Sequence, residues 1–310
     1  MLTQALEANA RNPGGALQNP NMALIKLSFF VFRSNCQVTC KVYWKVSDRE
    51  NMSAKLKKPP VFYTLGIINF NAVLEMQEFI TKIQSDLRHD FPDFSKDFTN
   101  EIQIQMRGPG QPPTANTLLT ERWNFKNATM TAGFSLTPKS VLFHTTEYED
   151  SAAFINSMLH GLAVVHAHVG LAFIESVAIR VLDAVIPSAN EDLSLYLQAG
   201  ALGLRAIMDG KLQQAVSQAI FDTPAGQATS RTVLLNGKLG FPNDLLPMTL
   251  KLNKRFTAGK LHAILDNQCQ KVERAPIDLD RIESHIKAVK SQTKQAFVRS
   301  VTQKAIEIWS

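Results

Sequence analysis

The chain has 310 residues, 45% of them hydrophobic and 19% charged, with a formal net charge of +6. That balance excludes a disordered chain and leaves room for one large domain or two ordinary ones. The three cysteines, Cys36, Cys40 and Cys269, are too few and odd in number for a disulfide framework, so a reducing compartment, the cytoplasm, is expected.

Uninterrupted apolar runs such as FFVF and LAVV fall well short of the roughly 18 residues that span a bilayer. The chain also lacks a charged start followed by an apolar block. Neither a membrane nor export is therefore expected. Residues 1–51 carry six basic and three acidic residues, half of the charge excess. They contain the linker-like NPGGALQNPN and only a broken alternation after it, and read as a poorly structured extension ahead of a start at Met52. The pair in CQVTC has three residues between its cysteines and no further donors nearby, so no metal site is expected there.

The pattern sharpens after Pro60. VFYTLGIINF, 61–70, reads as a strand, and Met76, Phe79, Ile80, Ile83 and Leu87 fall at helical spacing up to the stop at FPDF. Strands follow at 99–106, at 119–134 with a break near Asn127, and at 139–147. Asp150 or Ser151 then caps a helix running to Val169 and ending at Gly170. The order next repeats: a strand at 173–186, a helix from Glu191 to Leu202, a hairpin around DTPAGQ with strands at 213–221 and 227–235, and strands at 248–254 and 259–267. A long helix from Asp278 closes the chain. Its apolar stripe is Ile282, Ile286, Val289, Phe297, Val301, Ala305 and Ile308, and a second stripe holds Lys287, Lys290 and Lys294. The expected fold class is α+β, with two similar lobes, 52–170 and 171–310, each running strand, helix, antiparallel strands, helix.

Candidate chemistry is sparse. His160, His166 and His168 lie on one helix, but His166 and His168 point nearly opposite ways, which does not suit a metal. No GxSxG elbow, phosphate loop, HExxH or GxGxxG is present. In FIESVAIRVLDAVIP, alternation puts Glu175 with the odd-numbered apolar residues and Arg180 with the even-numbered ones. A charge in such a strand must be paired or must line a groove. Arg180 with Asp183 or Glu175 is either a structural ion pair or the floor of a groove between the lobes. His262 and Asp266, four apart on a strand, share a face and fall in that groove or in a polar seam. The candidate binding set is thus Arg180, Asp183, His262 and Asp266, with no cofactor and no metal. The lysine stripe is either a wet face or a phosphate-binding one, and without an aromatic platform a protein partner is favoured over nucleic acid.

Four stretches, KLKKPPVFYTLGIINF, IESVAIRVLDAVIP, LHAILDNQ and QAFVRSVTQKAIEIW, together resemble a family of uncharacterised bacterial proteins described as sporadically distributed. That family opens with lysine-leucine-x-x-Pro-Pro and ends in a helix before a tryptophan. The resemblance spans Met52 to Trp309. Where the family carries Arg-Tyr-x-Asn, this chain has Arg180, Val181, Leu182 and Asp183. The resemblance implies a cytoplasmic bacterial protein and, through patchy distribution, a mobile or defence-associated locus, but no activity. The resulting expectation is a non-catalytic binding or accessory protein, with an enzyme or nucleic-acid-handling protein using the polar groove as the alternative.

Overall fold

A computed structural model describes residues 56–105, 114–206, 210–246, 248–257 and 259–310, with backbone alone for 99–105, 114–118 and 206. The extension expected at 1–51, its cysteine pair and the start at Met52 lie outside the described residues. The fold is α+β: nine strands form one antiparallel sheet carrying helices on one face.

In chain order the strands are β1 (Val61–Phe70), β2 (Asp93–Gln105), β3 (Thr114–Lys126), β4 (Ala132–Thr137), β5 (Ser140–Thr145), β6 (Phe173–Val185), β7 (Gln214–Thr223), β8 (Gly226–Lys238) and β9 (Gly259–Pro276). The helices are α1 (Ile80–Leu87), α2 (Ser151–Val169), α3 (Ala199–Leu202), α4 (Leu279–Ser300) and α5 (Gln303–Trp309). Across the sheet the strands run β2-β3-β4-β5-β1-β6-β9-β8-β7. The first strands of the two expected lobes, β1 and β6, are therefore direct neighbours, with Gly66 opposite Ile179 and Ile68 opposite Val177. Their ladder occupies the place where a groove between lobes was expected. A sheet running through both halves buries its central strands on both faces.

On one face α1, α2 and α4 close a core around Phe70, Trp123, Phe125, Phe134, Leu162 and Ile179. Asp150 accepts from Ala153 N to start α2, and Gly170, at φ 68°, ends it in the left-handed conformation. Among the described residues, α2 is the one helix long and apolar enough to cross a membrane, which the short apolar runs of the sequence did not suggest. Seven of its residues, Phe154 to Val165, are buried against the sheet and its neighbours.

The opposite face is covered by a strap, residues 239–246 and 248–257. Its Phe241 and Phe256 rings lie 5.3 and 5.9 Å from Phe62. A strand was expected at 248–254; the backbone there joins no sheet, although Leu250 is buried. The helix expected from Glu191 to Leu202 shrinks to one tight turn at Leu193–Leu195 and the short α3. Between them Leu197 bridges to Val301 and Gln198 N donates to Ser300 O, so neighbouring backbone captures groups a helix would have used internally.

The closing helix starts where expected, with Asp278 accepting from the Asp280 and Arg281 amides, but it is two helices. Val301 is extended, and Thr302 caps α5 by accepting from Ala305 N. The break shifts the phase of the stripe: Ile308 is 38% exposed while Trp309 is buried against Tyr196 and Phe297. Trp309 O also accepts from Lys58 N, and Pro60 O accepts from Ala184 N, so the chain from Lys58 to Pro60 is fixed on both sides as it enters β1.

The hairpin at DTPAGQ forms as expected, between β7 and β8. Gly226 there has φ +129°, and a Cβ on it would lie 2.2 Å from the Gln270 carbonyl oxygen on β9. Backbone cannot retreat as a flexible side chain can. Gly226→Ala is expected to cost about 1–3 kcal/mol locally and to speed amide exchange along β7 while β1 and β6 stay protected. Unchanged exchange in β7 would count against the close approach.

Candidate functional site

Strand parity sorts the candidate residues. Arg180 points to the strap face, where its Nε and Nη2 donate to Asp266 Oδ1 and Oδ2 at 2.7 and 2.8 Å. Asp244, on the strap, accepts from Nη1 and Nη2 of the same guanidinium. Arg231 reaches Asp266 Oδ2 at 3.4 Å. Burial disfavours the Arg180 charge, but the bonds from Asp266 and Asp244 outweigh it and hold the guanidinium above its ordinary range. The partner of Arg180 is thus neither Asp183 nor Glu175. Glu175 is exposed beside an irregularity in the β6–β9 register. His262 is fully buried, with Nδ1 3.0 Å from Lys260 O and Nε2 without a hydrogen-bond partner among the described residues. Of the four residues, Arg180 and Asp266 come together. His262 lies further along β9, and Asp183, three residues from Arg180, faces the other way.

Asp183 faces α4, and α4 meets it with a lysine. The buried side of α4 runs Ile282, Ile286, Val289, Lys290 and Thr293. Lys290 and Thr293 therefore sit in register with the apolar stripe. The lysine stripe read from the sequence does not form one wet face: Lys287 is 61% exposed and pairs with Glu283 at 2.6 Å, whereas Lys290 is only 9% exposed.

Asp183 and Lys290 line a cavity of about 420 Å³. Its walls are Pro59, Pro60 and Val61 before and at the start of β1, Tyr148 to Ala152 at the start of α2, and Phe297 and Val298 of α4. That size suits a small organic ligand. Asp183 is 2% exposed, and burial pushes its carboxyl up to about 7 against the pull of the Lys290 charge. Burial pushes the Lys290 ammonium down to about 8, with the Asp183 charge opposing and Lys294 assisting. Among the described residues neither side-chain charge has a hydrogen bond or a direct ion pair, although each acts on the other through space. The Tyr148 ring lies 4.9 Å from Lys290 Nζ, and its hydroxyl is 2.8 Å from Ser151 Oγ. Burial pushes that phenol up to about 12.

A larger, open depression of about 1320 Å³ runs along β7. The charged side chains on its lining are Arg205 and Lys211, and Arg205 is held by Asp192, so few groups converge in it. Among the described residues no three His, Cys, Asp or Glu side chains cluster as metal donors. His168, on α2, contacts Asp86 of α1 at 2.7 Å instead.

Sequence reasoning singled out Asp183 and Lys290 separately but missed their meeting, and missed Tyr148 and Thr293. The signal was available. At steps of four, four, three and four, Ile282, Ile286, Lys290, Thr293 and Phe297 trace one helix face, so a lysine occupies a core position. No protein-family model matches this chain, and no curated protein does.

Proposed function

We propose that this protein is a binding or accessory protein that holds a small, largely apolar molecule with a polar head in the Asp183–Lys290 cavity. The observation that carries this reading is a pair of buried, opposite charges that face one cavity without bonding each other. Burying a charge without a hydrogen-bonding partner costs stability, and a stability-driven core would hold apolar residues there. A ligand whose polar head bonds to the Asp183 carboxyl and to Lys290 would supply the missing bonds. The resemblance to the sporadically distributed bacterial family supports a cytoplasmic setting and an accessory role with a protein partner. It also places an ionisable Asp183 where that family carries a neutral asparagine.

The same proposal includes an internal repeat. On either side of the β1–β6 ladder the chain runs strand, helical segment, antiparallel strands and a long helix, and α2 and α4 pack together on one face. Superposition of β1, β5 and α2 on β6, β9 and α4 tests it, and failure to align in that order rejects it.

The ligand site is tested by a small-molecule screen using saturation-transfer NMR on the wild type and on Val298→Trp, which adds bulk to the cavity wall. Val298 is only half buried, so the fold is expected to tolerate the change. The expected result is a set of aromatic or aliphatic binders lost in the variant. Binders that persist unchanged, or a complete absence of binders, would overturn the site.

A further inference from the structure

Deepening that reading and resting on it, we propose that the ligand is a small uncharged aldehyde or ketone, which Lys290 captures as an imine. Three features of the geometry point there. Lys290 is nine-tenths buried but opens onto the cavity, so its amine is reachable only by a molecule that enters it. Its side chain has no hydrogen bond or ion pair among the described residues to occupy its nitrogen. The cavity walls include Pro59, Pro60, Val181, Phe297 and Val298, which favour an apolar body over a charged one.

The buried acid beside the amine completes the chemistry. The Lys290 nitrogen lone pair adds to the carbonyl carbon as the carbonyl π bond breaks, and one of the two protons on the nitrogen passes to the carbonyl oxygen to give a carbinolamine. The Asp183 carboxyl then donates a proton to the departing hydroxyl, water leaves, and the carbon–nitrogen double bond forms. The second nitrogen proton returns to the Asp183 carboxylate, so amine plus carbonyl yields imine plus water with no external oxidant or reductant. Amines serve as covalent catalysts in such steps when a desolvated pocket keeps them partly unprotonated. With its ammonium pushed down to about 8, Lys290 carries on the order of a few hundredfold more free amine at neutral pH than an ordinary lysine. The Asp183 carboxyl, pushed up to about 7, is present as both acid and base there. The other charged or titratable groups around the amine are Lys294 on α4 and Tyr148, Glu149 and Asp150 at the start of α2. The Tyr148 ring face lies 4.9 Å from Nζ, where it favours a cationic iminium.

The experiment uses benzaldehyde as the carbonyl probe and benzyl alcohol as its non-reactive counterpart, with the full chain. Imine is trapped with sodium cyanoborohydride and located by peptide mass spectrometry. The expected result is one benzyl adduct per chain on Lys290, formed at least about tenfold faster than on exposed Lys287, following the difference in free amine. Lys290→Arg and Val298→Trp lose it. Asp183→Asn slows adduct formation on Lys290 about tenfold or more while the rate on Lys287 stays unchanged. If benzyl alcohol binds and Lys290 labels no faster than Lys287, the imine proposal is overturned while the cavity reading stands. If benzyl alcohol fails to bind and no Lys290 adduct forms, the cavity reading falls with it.

Discussion

Replacing Lys290 by methionine is expected to lower the melting temperature by about 10 °C at pH 8 and by clearly less at pH 5. The substitution keeps the stem volume in the core stripe of α4 but strands the Asp183 carboxylate, and breaking a buried pair costs about 3–5 kcal/mol. For a chain of this size that corresponds to roughly 2–4 °C per kcal/mol. At pH 5 the carboxyl takes a proton and the penalty shrinks. Asp183→Asn together with Lys290→Met removes both charges and is expected to be at least as stable as the wild type. A double variant clearly less stable than the wild type would mean that the pair stabilises the fold, and the ligand would no longer be needed to explain it.

The wild type should also show a trough in stability between about pH 7 and 8 relative to that double variant. The Asp183 carboxyl has a folded value raised to about 7 from 3.8, so between those values the folded state holds a proton the unfolded state has released. Stability then falls as pH rises through that window. Lys290 is lowered to about 8 from 10.5, so above 8 the unfolded state binds more protons, and stability recovers as pH rises toward 10.5. The depth of the trough is on the order of a few kcal/mol, since a tenfold change in proton affinity between the folded and unfolded states is worth about 1.4 kcal/mol. Chemical denaturation at pH 5, 7.5 and 10 reads it directly, and a difference between the two proteins that is flat with pH would contradict the burial of the pair.

Much of this fold was legible in the residues. The strand from Val61 is largely apolar because both its faces are covered, and α2 is bounded by Asp150, whose side chain caps it, and Gly170, whose backbone ends it, both local effects. Long-range partners were not legible. Leu193, Tyr196 and Leu197 have helical spacing, but the backbone of Tyr196 and Leu197 is claimed by the break between α4 and α5. A strand was expected only at 259–267, yet β9 continues to Pro276 because the start of β6 pairs with its far half. The two faces of β6 show the same division. Alternation alone separates Arg180 from Asp183, whereas the identity of their partners, Asp266 and Lys290, depends on which strand and helix the chain brings alongside.

Arg180→Met is expected to produce a loss comparable to that of Lys290→Met, about 3–5 kcal/mol, for a different reason. Asp266 is 4% exposed at its side chain and receives two charge-assisted bonds from Arg180 in a side-on pair. Removing the guanidinium leaves that carboxylate with Arg231 at 3.4 Å and Arg231 itself partly solvated, which is a weak substitute. Asp244 also bonds Arg180, but its side chain is 58% exposed and water can take over, so Asp244→Ala should cost less than about 1 kcal/mol. Asp266→Leu added to Arg180→Met should restore most of the loss, because an apolar pair fits between Leu182 and Ile264 on the strap face. Urea denaturation of the four proteins separates the contributions. Equal losses from Arg180→Met and Asp244→Ala would show that Arg180 matters chiefly by tethering the strap, and the pairing of β6 with β9 would then depend on backbone and apolar contacts alone.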